Sequence, residues 1–160
     1  MAITNTHMAS ADAPAMNLAE CWITVEGKRY LMAMAKNFEA KANKNTAEIK
    51  TLGNRIIGHK SKNMDLPFSM TIYKVTEIFD EMIERYKNTG LETYFDIQVT
   101  SEDPSSSIGR STKVYTDCII DGEILLSAFD ADGEFIEQTV EGYAHDFQRP
   151  EKYTNPAFMG

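Results

Sequence analysis

An α+β, mainly β domain is what the sequence predicts: an antiparallel barrel or sandwich of six or more strands, with one flanking α-helix and an extended projecting loop. Three observations lead there. Apolar and polar residues alternate with a period of two in several short runs after residue 18. Only one stretch carries the 3.6-residue stripe of an amphipathic helix. Pairs and clusters of Gly, Asp, Asn and Glu separate the strand-like runs, as turns require.

In chain order, residues 1–17 are small, polar and aperiodic, and read as a flexible N-terminal arm that orders only on a partner. The run from Glu20 to Ala35 gives two β-rich segments around Glu26-Gly27, a hairpin signal. Residues 36–50 have too little apolar surface for a core. They read as an exposed strand pair or arm leading into a loop over Gly53–Asn63. Phe68, Met70 and Ile72 alternate with Ser69, Thr71 and Tyr73, a strand with one buried face. Over 76–88 the spacing predicts a helix, because Val75, Ile78, Phe79, Met82, Ile83 and Tyr86 form one stripe. Thr76 suits its start and Gly90 its stop. Phe95, Ile97 and Val99 mark a strand, and Ser101–Ser111 a surface loop. Further strands are expected in "TKVYTDCII", "EILLSAF" and "EFIEQTVEGYAHDF". The chain from Arg149 reads as a trailing extension, so the domain is placed at 18–150 and the C-terminal extension at 151–160.

With 160 residues the chain is sized for one domain with a real core. No apolar run approaches the ~20 residues that cross a bilayer, and no signal peptide is recognisable, so synthesis and retention in the cytosol, or a signal-free exit, are expected. Cys21 and Cys118 lack the spacing of a disulfide framework or zinc site and read as buried small hydrophobes. The net charge of −8 disfavours general nucleic-acid binding. Its distribution is two-ended: residues 1–62 hold nine Lys/Arg against five Asp/Glu, and residues 63–160 hold seven against nineteen. Either the solvated surface is uneven, or a basic element of one copy meets an acidic face of another.

The motifs that carry chemistry fail one by one. "GNRIIGHKS" (53–61) has the glycine separation of a phosphate-binding loop, but His59 stands where the lysine belongs, and Pro67 would stop any helix that followed. His7, His59 and His145 share no metal-ligand spacing. "DADGE" resembles a calcium loop, yet Ala128 and Thr139 fall where its first and last ligands belong. No nucleophile elbow is present. No cofactor, metal or catalytic residue is assigned, and no enzyme is expected. Glu137, Thr139 and Glu141 share one face of a strand with Ile136 and Val140 on the other, a wall between a core and water.

The run from Gly53 to Gly90, with its Gly-, His- and Lys-bearing loop, the strand at 69–73, the short amphipathic helix and the strand Tyr94–Ile97, resembles the tail tube proteins of contractile-tailed phages. It is most similar to those of PBSX-like defective prophages and of R-type bacteriocin clusters. The resemblance spans residues 18–150 and rests on the pattern of elements, with no catalytic signature. It implies hexameric rings stacked into a hollow tube inside a sheath, made in the bacterial cytoplasm and ending in the virion. It also implies sheath, baseplate and terminator partners, DNA that passes through without specific binding, and membrane contact only through the assembled particle. The 36–63 segment would be the arm to a neighbouring subunit, with Lys36, Lys41, Lys44, Lys50, Arg55, Ile56, Ile57, His59, Lys60 and Lys62 as its contacts. Glu137, Glu141, Asp117 and Glu123 would be acidic residues of the lumen. The tube of a DNA-free injection particle is an equal alternative, and a small-ligand-binding β-barrel carrier is the alternative from another class.

Overall fold

The computed structural model describes residues 7–159. In chain order its strands are β1 (Ala19–Val25), β2 (Lys28–Leu31), β3 (Ala35–Ala40), β4 (Asn43–Ile49), β5 (Gly58–Tyr73), β6 (Phe95–Glu102), β7 (Arg110–Ile120), β8 (Glu137–Ala144) and β9 (Asp146–Glu151). The helix α1 (Ile78–Thr89) lies between β5 and β6. Mainly β with antiparallel pairing and one helix is the class the sequence predicts. The backbone divides into two compact units: residues up to 33 with 94–116 and those from 147 on, and residues 34–93 with 117–146.

In the first unit, β1 turns back into β2 through Glu26 (φ 52°) and Gly27 (φ 80°), the left-handed pair that a two-residue hairpin demands. β1 pairs on its other side with β6, setting Ile23 opposite Ile97 and Val25 opposite Phe95. Period-two alternation then turns Cys21, Ile23, Phe95 and Ile97 into the core. The arm expected at 1–17 lies partly outside the described residues, and Ala9–Ala15 are held by their own chain. Asp12 accepts from the Ser107 hydroxyl (2.6 Å), and Asp103 accepts from the Ala15 amide (3.0 Å). Short Asp and Ser side chains bond local backbone and hydroxyls more readily than they wait for a partner.

The chain end is also tied. β9 includes Arg149, Pro150 and Glu151, and among the described strands it pairs with β7, an edge position where proline's missing N–H is no loss. Beyond it, the Thr154 amide donates to the Ile108 carbonyl (2.8 Å) and the Tyr153 hydroxyl to Ser101 (2.8 Å). The chain from Arg149 through Thr154 is therefore bound to the first unit and does not trail.

The second unit is organised by β5. Its C-terminal half pairs with β3 on one side and β8 on the other, and Phe68, Met70 and Ile72 are buried. Its N-terminal half pairs only with β4, forming a hairpin in which every residue from Lys41 to Asp65 except Asn45 is exposed. Residues 36–40 of the expected 36–63 arm are instead part of β3, beside the core half of β5; the exposed strand pair starts at β4, Gly58–Asn63 is strand, and the loop is the shorter 50–57 segment. Gly53 makes a true bend (φ 76°), whereas Gly58 opens a regular strand.

α1 buries Phe79 and Met82 in this unit, half-buries Ile78 and Ile83, and leaves Val75 and Tyr86 exposed, so the expected stripe is buried only at its centre. Glu77, not Thr76, occupies the cap position. The Thr76 hydroxyl instead accepts from the Ile78 amide at 3.4 Å. Gly90 ends the helix in the left-handed conformation, as the sequence predicts. Just before the helix, the nearly buried Lys74 ammonium donates to both Asp80 oxygens (2.9 and 3.1 Å) and to the Leu125 carbonyl (2.7 Å).

The expected strand "EILLSAF" is absent: residues 121–136 form no strand. Their backbone is satisfied elsewhere, by Lys74 at Leu125, by the Lys74 amide at Ile136 (2.8 Å) and by a turn closed between Gly133 and Asp130 (3.1 Å). Cys21 and Cys118 are buried and outside any disulfide, as expected, and burial pushes the Cys21 thiol up to about 12.

Gly142 faces the core between β5 and β7, opposite Phe68 and Ile120. A Cβ there would overlap the Ile119 carbonyl oxygen and crowd the Phe68 ring at 3.0 Å. Gly142→Ala is expected to cost more than the ~1–3 kcal/mol of ordinary overpacking, because the obstacle is backbone. A urea midpoint within error of the parent would refute this. In the hairpin, Gly53→Ala strains a left-handed residue by ~1–2 kcal/mol, while Gly58→Ala meets only ordinary contacts at 3.7 Å or more. Amide exchange over 44–62 is expected to quicken in the first variant and stay unchanged in the second.

Candidate functional site

Two exposed surfaces of the second unit carry the residues that the sequence singles out. The first is the β4–β5 hairpin. Its ladder sets Lys44 opposite Met64, Ala47 opposite Lys60 and Glu48 opposite His59, and the Asn45 side chain bonds Asn63 at 2.9 Å. Loop closure is local: the Asn54 amide reaches the Thr51 carbonyl, and the Asn54 side chain accepts from the Ile56 amide at 3.2 Å. Residues 41–62 hold six Lys/Arg and one Glu. Lys50 pairs with that Glu48 at 3.7 Å. Among the described residues, Lys44, Arg55, Lys60 and Lys62 have no carboxylate partner. Leu52 is fully exposed and Ile56 is 80% exposed. Such apolar side chains at the end of a charged hairpin are expected to contact something outside the monomer.

Lys44, Lys50, Arg55, Ile56, Ile57, His59, Lys60 and Lys62 therefore all sit on this hairpin. The other two residues of the set do not. Lys36 lies on β3, where it pairs with Glu137 at 2.9 Å and sits over the Tyr73 ring; that carboxylate holds the ammonium pKa above its usual value. Lys41 lies in the link before β4 and pairs with Glu39 at 2.8 Å.

The second surface is the outer face of β8. Strict alternation exposes Glu137, Thr139, Glu141 and Tyr143 and buries Gln138, Val140, Gly142 and Ala144. Next to it on β5, the Thr71 and Thr139 hydroxyls meet at 3.2 Å. The face is thus hydroxyl-rich and acidic. Glu137 and Glu141 share it. Asp117 lies at the other end of β8 from Glu137, where its carbonyl accepts from His145 Nδ1. Glu123 lies in the strandless segment after β7.

An open cavity of about 360 Å³ beside this face is lined by Glu39, Lys41, Phe68, Asp121, Glu141 and Tyr143, among others. Three carboxylates and a lysine make it a poor match for the apolar pocket that a small-ligand carrier needs. The near P-loop is likewise explained: a strand, not a helix, follows the glycines, so no helix N-terminus faces the loop.

Sequence reasoning missed the exposed apolar residues of the strandless segment between β7 and β8. Leu126 and Phe129, read as strand residues, are 60% and 91% exposed. The only available signal was the density of Asp around them, which strands disfavour.

Comparison with known proteins adds the family. The family model described as "Phage tail tube protein" matches residues 6–151. The phage-like element PBSX protein XkdM of Bacillus subtilis (strain 168) is 34% identical over 134 residues, covering 81% of this chain and 90% of that protein. The uncharacterized protein YqbM of the same organism is 33% identical over 131 residues, covering 79% and 88%. Among solved structures, a chain of the anti-feeding prophage tube-terminating cap superposes with a TM-score of 0.63 at 14% identity, covering 93% of this chain and 98% of that one. A chain of the sheath/tube terminator of the PVC extracellular contractile injection system superposes with a TM-score of 0.59 at 12% identity, covering 82% and 93%. The last two share the fold. With its match over most of its length and two relatives above 30% identity, this chain belongs to the phage tail tube protein family.

Proposed function

We propose that this protein is the repeating subunit of a hollow tail tube, in which rings of identical copies stack through the β4–β5 hairpin. One observation carries the reading: a two-stranded hairpin that is almost wholly exposed, with unpaired cations and a bare apolar tip, continues the same strand that forms the centre of the second unit's core. An isolated hairpin of this kind is marginal in water and gains stability by burying its tip on a partner. Because the basic hairpin differs from the surface it would meet, the contact is heterologous and propagates along an axis.

In this reading the rings are hexameric, the outer face of β8 lines the channel, and Glu137 and Glu141 face the lumen with Asp117 and Glu123 nearby. The Glu141 carboxylate repels the phosphate backbone and keeps passing DNA from sticking to the wall, while the charge of Glu137 is offset by Lys36. The tube sits inside a sheath, between a baseplate and a terminator. The relatives that match in fold come from a tube-terminating cap and a sheath/tube terminator, which supports partners of that kind. The particle assembles from subunits made in the host cytoplasm and meets a membrane only as a whole. The subunit has a structural role and no catalytic one.

Replacing Lys44–Met64 by a two-residue Asn-Gly turn keeps β3, the core half of β5 and the Lys36–Glu137 pair. The variant is expected to fold and to lose tubes in negative-stain images, while the parent chain forms them at high concentration. Tubes of parental length from the shortened chain, or a parent that stays monomeric at every concentration, would sink the reading. For the channel, Glu137→Lys with Glu141→Lys is expected to preserve tube assembly and to lower DNA delivery by particles carrying it. Unchanged delivery removes both residues from the wall.

A further inference from the structure

The strandless segment 121–136 is the least explained surface of the second unit. Its start is held by Lys74 at Leu125, and its end by the Lys74 amide at Ile136. Between these anchors, Asp130 closes a tight turn by accepting from the Asp132 amide on its side chain (3.0 Å) and from the Gly133 amide on its carbonyl (3.1 Å). Phe129 precedes that turn and is 91% exposed, with Leu126 at 60%. With Phe135 at 79%, three large apolar side chains are thus displayed on a backbone that is pinned at both ends, and of these Phe135 meets the Tyr73 ring edge-on at 6.2 Å. Asp130, Asp132 and Glu134 surround them, and none has a cationic partner among the described residues. From Val114 to Gln148 the chain contains nine Asp/Glu and no Lys or Arg.

The hairpin tip is the complement of this surface in both respects. It offers bare Leu52 and Ile56 where the segment offers bare Leu126 and Phe129, and unpaired Arg55 and Lys60 where the segment offers unpaired carboxylates. An apolar centre with an oppositely charged rim on each side is the usual anatomy of a specific interface. The β8 face is the other acidic surface, but its exposed Tyr73 ring is already engaged by Phe135 and Lys36, and its Glu137 is already neutralised by Lys36.

We infer that the segment Glu123–Glu134 is the surface on a second copy of this chain that receives the hairpin tip, with Leu126 and Phe129 packing on Leu52 and Ile56. The inference rests on the stacking reading above and supplies its missing half, the acceptor. Lys74 is then a positioning residue: its bonds to Leu125 and Asp80 fix the base of the acceptor against the first turn of α1.

Cysteine cross-linking tests it, since Cys21 and Cys118 are buried and do not compete. The double variant Ile56→Cys with Phe129→Cys, oxidised after assembly, is expected to give a ladder of covalent oligomers on a non-reducing gel, and each single variant none. Tubes that form without a ladder overturn the acceptor while leaving the stacking reading in place. A second set guards against a variant that does not assemble. Asp130→Lys with Asp132→Lys, and separately Arg55→Glu with Lys60→Glu, are each expected to lose tubes while remaining folded. The chain carrying all four changes is expected to regain them, because the charges are exchanged on both sides of every contact. Continued loss of tubes in the fourfold variant, or normal tubes in either pair, overturns the acceptor. Absence of rings and tubes from the parent chain overturns the stacking reading itself, and the acceptor with it.

Discussion

Continuity of β5 is the constraint on which the rest depends. One strand of 16 residues runs from Gly58 to Tyr73, and its surroundings change completely near Leu66. Beyond that point it is hydrogen-bonded on both sides and sends Phe68, Met70 and Ile72 into the core; before it, it has one partner and no buried residue. The ladder shifts register between Lys44/Met64 and Thr46/Ser61, so the direction of the exposed hairpin is set by the packed half together with this bulge. Displacing the core end of β5 would displace the tip over a length of roughly 25 Å from Leu66 to Gly58, at about 3.3 Å per residue.

Around this strand the molecule sorts charge by location more than by amount. Cations collect on the hairpin and anions on β8 and on the segment before it. Within the chain, few of these charges neutralise each other across elements. Lys36 with Glu137 and Lys74 with Asp80 do so in the second unit, and each joins pieces far apart in function: the first neutralises part of the β8 face, the second fixes the loop beside α1. An exposed pair such as Lys36–Glu137 contributes little to stability. The Lys74 cluster is different, because a nearly buried ammonium that lost Asp80 and the Leu125 carbonyl would be left without compensation.

Where the residues spoke through local periodicity, they were legible. Phe68, Met70 and Ile72 marked the core half of β5, the Glu26-Gly27 pair marked the first hairpin, Gly90 marked the end of α1, and the alternation of Glu137, Thr139 and Glu141 marked an outer face. The misreadings share one cause. "EILLSAF" has the composition of a strand, but its Leu125 carbonyl is taken by the Lys74 ammonium, a contact made across the chain that leaves no trace in the run itself. Thr76 has the chemistry of a cap, yet the helix begins one residue later, at the Glu77 cap position. The arm and the tail read as loose because small polar residues carry no periodic signal, while their hydrogen bonds to Asp103, Ser107, Ile108 and Ser101 come from elsewhere in the sequence.

By itself the sequence determined the class of the protein, the faces of its strands and the separation of basic from acidic segments, because alternation and charge are properties of neighbouring residues. It also carried the likeness to tail tube proteins, since a family's pattern of elements is written along the chain. Only the tertiary structure decided that Lys36 stands apart from the other cations, that Gly142 has no room for a side chain, and that Leu126 and Phe129 face solvent. Those facts depend on which backbone groups find partners across the fold, and long-range pairing is what a local pattern does not encode.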